Sequence, residues 1–294
     1  QNLYKLFKMP IQSPSNLLKD ILIYYRRFMQ PALSEEESAV VIYWLIEKAL
    51  GLTKAEVLLD TQRRLSESEI LKIHFLCKRV SLGEPVQYVM GEGWFYGRSY
   101  EVGKGVLIPR PETEELVEEA IKRIGLGSMV IDLCTGSGCI ASTIALERQD
   151  TRVKAIEIDK TAIGYARKNA ERLSARVDFI EGDVLNIDSL PNDQFDLIIS
   201  NPPYVRESEI ALMESRVIDW EPSLALFVSD EDPLIFYRSI GLYAKRCLRS
   251  GGIIALEINE NLGSEVVSLF QGLDFEIVEL KLDMRGKTRM AFIS

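Results

Sequence analysis

The fold of this chain is decided by residues 129–138, which read MVIDLCTGSG. The apolar run Met129–Leu133 predicts a short buried strand, and the glycines that follow it predict a tight turn into a helix. Glycine lets the backbone approach a ligand closely, and the free amides at a helix N-terminus favour a carboxylate or a phosphate. A strand–helix turn without a ligand has the same appearance, so the motif needs support from the strands that come after it.

Strands and helices alternate from Met129 to the end of the chain. The predicted strands cover 129–133, 153–158, 177–181, 195–200, 253–258, 275–282 and 288–293. The predicted helices between them cover 140–147, 161–173, 233–248 and 264–271. This alternation predicts an α/β fold with a mainly parallel sheet covered on both faces. The hairpin-sized loop 283–287 gives that sheet an antiparallel edge, and ligands are expected at the carboxyl ends of the parallel strands.

The first part of the chain reads as helices. Ser13 before Pro14 is a predicted helix start, and three capping boxes follow, in which a hydroxyl and a carboxylate satisfy each other's backbone donors. These boxes are Ser34 with Glu37, Thr53 with Glu56, and Ser66 with Glu69. We therefore predict a helical domain over 1–82, a β-hairpin linker rich in glycine and aromatic residues over 83–106, and the α/β domain over 107–294.

Composition narrows the functional classes. The 294 residues include 35 Lys and Arg against 44 Asp and Glu, a net charge of −9 that argues against non-specific nucleic-acid binding. A single histidine excludes a multi-histidine metal site, and no metal site is predicted. Four cysteines without CxxC spacing suit a reducing compartment. With no membrane span and no signal peptide predicted, we expect a cytoplasmic protein.

Acidic residues follow the second and third predicted strands. Glu157 comes about 20 residues after the glycine turn, where a carboxylate can accept the hydroxyl hydrogens of a ribose. Asp159 is better placed to cap the helix that begins at Lys160. At the end of the third strand, Asp183 and the backbone of Val184 are expected to bracket an adenine edge.

The most specific motif is Asn201-Pro202-Pro203-Tyr204, directly after the fourth predicted strand. The Asn201 carboxamide oxygen and the Pro202 carbonyl can each accept one hydrogen of a planar NH₂ group, and Tyr204 can lie against its flat face. Such a nitrogen is a poor nucleophile because its lone pair is delocalised. Holding both hydrogens favours charge build-up on that nitrogen as it attacks a methyl donor, with no general base required.

With these motifs in order, the chain resembles the S-adenosylmethionine-dependent methyltransferases with a seven-stranded Rossmann-like sheet. More narrowly, it resembles the release factor glutamine N5-methyltransferases. The resemblance covers nearly the whole chain. It rests above all on the combination of Ile108–Glu114, which reads IPRPETE, with the Asn-Pro-Pro-Tyr motif. Further matching segments are Glu84–Tyr88, Asp132–Gly138 and Glu221-Pro222.

The resemblance implies methyl transfer from S-adenosylmethionine to the side-chain amide of the Gly-Gly-Gln glutamine in class I peptide chain release factors. The release factor would be the protein partner, with the helical domain contacting it outside the tip. Catalysis would fall to Asn201, Pro202 and Tyr204, with Pro203 completing the amide site and Asn201 also near the cofactor. The implied cofactor residues are Arg110, Cys134, Thr135, Gly136, Ser137, Gly138, Glu157, Asp183 and Val184.

One residue departs from the family pattern, because Cys134 stands where the family usually has glycine. If its φ is positive, the turn carries strain of about 1–3 kcal/mol; if not, the side chain only adds bulk.

Other substrates use the same chemistry. The alternatives are a ribosomal-protein glutamine and an exocyclic amine of DNA or RNA, above all adenine N6. A nucleic-acid enzyme would need base flipping and a basic cleft, for which the chain shows no basic stripe. A cofactor-binding protein without activity is a third alternative, which the intact Asn-Pro-Pro-Tyr disfavours.

Overall fold

The computed structural model describes residues 15–294, so the helix start predicted at Ser13 and Pro14 lies outside the described residues. The chain divides into two compact units. One comprises Gln1–Gly91 with Ser215–Trp220, and the other comprises Glu92–Glu214 with Glu221–Ser294. The domain boundaries predicted at residues 82 and 106 stay a prediction. Within the described range, no helix is both long enough and apolar enough to cross a membrane.

The first unit is helical, and its sequence sets the helix starts. Its main helices are α1 (Leu18–Met29), α2 (Glu35–Leu50), α3 (Lys54–Leu59), α4 (Glu67–Ser81) and α5 (Val86–Met90). All three predicted capping boxes are confirmed, at Ser34, Thr53 and Ser66. Helix α2 ends at Leu50 and is capped by Gly51, whose φ of +70° is a conformation that glycine adopts without strain.

One continuous apolar core holds this unit together. Its fully buried members include Tyr25 and Met29 of α1, Ile42 and Ile46 of α2, and Ile73 of α4. Burying side chains of this size contributes about 1.5–3 kcal/mol each before the entropy of ordering is subtracted.

A short helix from much later in the chain, Ser215–Trp220, completes the helical unit. Its Arg216 places both terminal guanidinium nitrogens 3.2 Å from Glu37 Oε1.

The second unit contains the predicted α/β sheet. Its strands are β1 (Glu92–Phe95), β2 (Arg98–Glu101), β3 (Met129–Leu133), β4 (Arg152–Glu157), β5 (Val177–Glu181), β6 (Phe195–Ser200), β7 (Val205–Arg206), β8 (Phe227–Val228), β9 (Leu248–Glu257), β10 (Val278–Leu282) and β11 (Thr288–Ile293). Seven of them form one sheet in the order β10-β11-β9-β6-β3-β4-β5. Strand β11 is antiparallel to both of its neighbours and the remaining pairs are parallel, which confirms the predicted fold class.

Helices cover both faces of this sheet. They are α6 (Pro111–Arg123), α7 (Cys139–Glu147), α8 (Lys160–Leu173), α9 (Ile235–Cys247) and α10 (Gly263–Gly272). Alternate strand residues point to opposite faces. Val130 therefore joins a core with Leu116 of α6, whereas Ile131 joins a separate core with Tyr237 and Phe270.

Several predicted boundaries were wrong: the strand predicted from residue 275 begins at Val278, and Val86–Met90 within the predicted hairpin linker is helix α5. The prolines at 109 and 111 predict a helix that begins near Thr113, but helix α6 begins two residues earlier at Pro111, because proline is pre-organised for the first helical position and Arg110 before it is extended. Strand β9 begins at Leu248, although a helix was predicted to that residue and a strand only from Ile253. The register explains this difference, since Phe195 pairs with Leu248 whereas Leu197 pairs with Ile253, so the extra residues form an irregular bulge within the strand.

The capping box at Ser66 gives a test of how the helical unit is stabilised. Glu69 accepts the Ser66 backbone amide at 2.8 Å, and the Ser66 hydroxyl accepts the Glu69 amide at 3.3 Å. We expect Ser66→Ala to lower the free energy of unfolding by about 1 kcal/mol in urea denaturation followed by circular dichroism. Ser66→Asp is the control, because aspartate caps equally well. Equal stability of the alanine and aspartate variants would contradict the prediction.

Candidate active site

The carboxyl ends of β3, β4, β5 and β6 meet at one edge of the sheet around a cavity of about 300 Å³. Nine of the predicted site residues line this cavity: Arg110, Cys134, Thr135, Gly136, Ser137, Glu157, Asp183, Asn201 and Pro203. Four others do not line it: Gly138, Val184, Pro202 and Tyr204. Parallel strands place their carboxyl ends at a common edge, which explains why segments far apart in sequence meet here.

The two glycines of the turn serve different purposes. A side chain at Gly136 would meet no atom within 4 Å, so this position leaves open space beside the cavity. At Gly138 a Cβ atom would lie 3.0 Å from Ala166 Cβ of helix α8. Both glycines have a positive φ that other residues adopt only with strain, and Gly138 is in addition required by close packing against helix α8.

The buried carboxylate of Asp132 holds this turn by accepting hydrogen bonds from it. Asp132 is fully buried, and its Oδ2 accepts hydrogen bonds from the Thr135 hydroxyl and from the Ala141 amide at 3.2 Å. Its Oδ1 has no hydrogen-bond partner. Burial raises the pKa of Asp132 to about 7. The sequence pattern assigns no role to Asp132, although an acid within an apolar strand is a signal for a buried structural carboxylate.

The structure decides between the two alternatives for Cys134. Its φ is +62°, the left-handed region, so the cysteine occupies a strained position that glycine would occupy freely. Burial raises the pKa of its thiol well above the ordinary value. The thiolate is the reactive form of cysteine, so this side chain is a poor nucleophile.

Glu157 faces the cavity while holding the backbone around it. Oε2 accepts the Gly136 amide at 2.8 Å, and Oε1 accepts the amides of Ile158 and Asp159 at 3.0 Å each. A carboxylate offers about four lone-pair positions, so one remains for a donor in the cavity. Burial raises the pKa of Glu157, and these amide hydrogen bonds oppose the rise.

Neighbouring acids have mixed roles. Asp159 caps α8 as predicted, accepting the amides of Thr161 at 2.8 Å and Ala162 at 2.9 Å, and it also lines the cavity. Asp183 lines the cavity and accepts the Leu185 amide at 2.8 Å. The Val184 side chain lies in the core beneath the sheet edge, and Leu185 lines the cavity beside Asp183. The role predicted for the Val184 backbone stays a prediction.

The Asn-Pro-Pro-Tyr segment starts where β6 ends. The Ser200 hydroxyl donates to the Leu133 carbonyl at 2.6 Å, which ties this segment to the end of β3. Asn201 Nδ2 donates to Thr113 Oγ1 at 3.2 Å. The Tyr204 hydroxyl donates to Glu257 Oε1 at 2.7 Å, so the phenol is anchored at its far end. The role predicted for its ring against a flat substrate group stays a prediction.

Sequence reasoning missed three residues that hold the site. Glu221 accepts from Arg110 Nη2 at 2.5 Å and from the Ile108 amide at 3.1 Å, which fixes the proline-rich wall of the cavity. Thr113 and Glu257 support the Asn-Pro-Pro-Tyr segment. Glu221 and Thr113 belonged to segments that carried the resemblance, but no signal in one sequence pairs either with its partner. Burial raises the pKa of Glu257. The hydrogen bonds from Thr113 and Tyr204 and the positive charge of Arg289 oppose this rise.

Comparison with known proteins identifies the family. A family profile described as "Methyltransferase small domain" matches residues 112–218, and one described as "PrmC N-terminal domain" matches residues 20–91. A release factor glutamine methyltransferase from Bacteroides thetaiotaomicron is 38% identical over 270 residues, which cover 92% of this chain and 97% of that protein. The chain belongs to the release factor glutamine methyltransferase family. A relative of the same name from Flavobacterium psychrophilum is 36% identical, with 93% and 98% covered.

Membership in the release factor glutamine methyltransferase family confirms the predicted resemblance and makes this chain a methyltransferase. A solved methyltransferase from Pyrococcus furiosus shares the fold, with a TM-score of 0.52 and 20% identity; 68% of this chain and 89% of that one are covered. The individual site assignments stay predictions. Across residues 15–294, no three His, Cys, Asp or Glu side chains are grouped so that they could hold a metal ion.

The positive φ of Cys134 gives a direct test. Alanine and glycine both remove the thiol, but only glycine relieves the left-handed strain. We expect the free energy of unfolding of the Cys134→Gly variant to be about 1 kcal/mol higher than that of the Cys134→Ala variant. Urea denaturation measures this difference. An alanine variant as stable as the glycine variant would show that the turn is not strained at this residue.

Proposed function

We propose that this protein transfers a methyl group from S-adenosylmethionine to the side-chain amide nitrogen of the Gly-Gly-Gln glutamine in class I peptide chain release factors. The observation that carries the proposal is the position of Asn201 on the cavity wall, one strand away from the glycine turn. The names of the relatives support a release factor as the protein partner. We expect the reaction in the cytoplasm, where translation terminates.

The chemistry of the cavity suits the cofactor. Carboxylates from Glu157 and Asp183 line it, and acidic walls favour a positively charged sulfonium ligand. Glu157 retains one lone-pair position for a ribose hydroxyl. Apolar side chains such as Ile158 and Leu185 offer a surface for a flat heterocycle. When bound, S-adenosylmethionine supplies the electrophilic methyl group.

The chain itself orients the nucleophile. In the proposed complex, Asn201 Oδ1 and the Pro202 carbonyl accept the two hydrogens of the glutamine NH₂ group. Proline at 202 and 203 removes two backbone donors, so carbonyl oxygens dominate this wall. The amide nitrogen becomes more electron-rich as it loses conjugation, and these acceptors stabilise the positive charge that develops on it. The bond between the methyl group and the sulfonium sulfur would break as the bond to nitrogen forms, and the surplus N–H proton would then pass to water, so no buried general base is needed.

A competition assay tests the substrate. We expect wild-type enzyme with labelled S-adenosylmethionine to label release factor in preference to ribosomal protein or DNA. Asn201→Ala should lower kcat at least about 100-fold, because a preorganised polar contact to the reacting group is lost. Asn192→Ala is the matched control, since Asn192 precedes β6 at its opposite end. Label on DNA alone would overturn the proposed substrate, and full activity of Asn201→Ala would overturn the assigned role.

A binding measurement tests the predicted role of Glu157. We expect Glu157→Gln to weaken binding of S-adenosylhomocysteine about 10- to 100-fold, because a hydrogen bond to a charged acceptor contributes about 1.5–3 kcal/mol. Isothermal titration calorimetry measures the change. Glu181→Gln is the control, as Glu181 pairs with Glu157 in the neighbouring strand but is exposed. Equal affinity of Glu157→Gln and wild type would refute a cofactor role.

A further inference from the structure

A chain of two hydrogen bonds leads from a buried carboxylate to Asn201. Glu257, the last residue of β9, is 1% exposed, and its Oε2 accepts from the Thr113 hydroxyl at 2.6 Å. Thr113, in the first turn of α6, is 2% exposed, and its Oγ1 accepts from Asn201 Nδ2 at 3.2 Å. All three residues belong to the α/β unit.

The direction of these hydrogen bonds is fixed by what each group can donate. Both oxygens of Glu257 accept from hydroxyl groups, Oε2 from Thr113 and Oε1 from Tyr204, so the single hydroxyl proton of Thr113 points to Glu257. The Thr113 oxygen then faces Asn201 as an acceptor, and it takes an N–H from the carboxamide. The NH₂ end of that carboxamide is thereby committed to Thr113, and its oxygen is left for another partner.

We propose that Thr113 and Glu257 are positioning residues that fix the orientation of the Asn201 carboxamide, so that its oxygen faces the amide of the substrate. This inference rests on the proposed function. The two ends of a carboxamide have nearly the same shape, so packing alone does not distinguish them. A flipped Asn201 would turn its own N–H groups toward the substrate NH₂, and two donors would face each other.

The same carboxylate also holds the other end of the motif. Glu257 Oε1 accepts from the Tyr204 hydroxyl at 2.7 Å, so its two oxygens serve Thr113 and Tyr204 separately. The guanidinium of Arg289 lies 5.9 Å from the centre of the Tyr204 ring and supplies a positive charge beside the pair. One buried carboxylate thus orients the first and the last residue of Asn-Pro-Pro-Tyr.

Matched substitutions at Thr113 test the proposal on the full-length enzyme. Thr113→Val keeps the shape but removes the hydroxyl, and we expect kcat for release factor methylation to fall about 100-fold. The KM for S-adenosylmethionine should change little, whereas the melting temperature should fall modestly, because the buried Glu257 loses one of its donors. Thr113→Ser restores the hydroxyl, so it should recover kcat to within about threefold of wild type. Glu257→Gln, which replaces one acceptor by a donor, should lower kcat in the same way.

A double-mutant cycle separates positioning from a general structural role. If Thr113 acts only through Asn201, Thr113→Val in an Asn201→Ala background should lower kcat by no more than about twofold further. A full additional loss in that background, or wild-type kcat for Thr113→Val alone, would overturn the proposal.

The wild-type control keeps this result distinct from the substrate assignment. Release factor methylated equally by wild type and Thr113→Val would overturn the positioning role and leave the proposed function intact. If wild type labels ribosomal protein or DNA instead, the proposed function fails. The positioning role is then tested by comparing the kcat of Thr113→Val with the kcat of Thr113→Ser on that substrate.

Discussion

The parallel pairing of β3 with β6 is the constraint on which the candidate site depends. Leu133 pairs with Ser200 at the last step of the register, so the glycine turn and the Asn-Pro-Pro-Tyr segment begin side by side. The Ser200 hydroxyl stabilises this pairing by donating a hydrogen bond to the Leu133 carbonyl. A slip of one residue would turn every side chain of β6 to the opposite face and carry Asn201 away from the cavity.

Much of this arrangement could be predicted from the sequence, because it follows from local patterns. Alternating strands and helices predicted the sheet, and capping chemistry predicted the starts of α2, α3 and α4. The places of the turn residues, Glu157 and Asn201 at the cavity follow from one rule about the carboxyl ends of parallel strands. The sequence around Cys134 is compatible both with a positive φ and with an ordinary one, so local patterns could not decide between them.

What could not be predicted depends on contacts between distant segments. Thr113 and Glu257 are 144 residues apart, and Arg110 and Glu221 are 111 apart, so no spacing rule connects either pair. Their geometry appears only once α6, β9 and the loop before β8 are in place. The difference between Gly136 and Gly138 could not be predicted either, since it depends on how closely α8 approaches the turn.

The membership of Ser215–Trp220 in the helical unit has a consequence for how this protein can be divided. The unit is discontinuous in sequence, so the backbone passes between the two units three times, after residues 91, 214 and 220. An N-terminal deletion cannot remove it cleanly, because the helix containing Arg216 and Trp220 would remain without Glu37 and the other residues of its own unit. Loss or exchange of the helical unit therefore requires two coordinated changes in the gene, one at the start and one within the segment that follows Asn-Pro-Pro-Tyr.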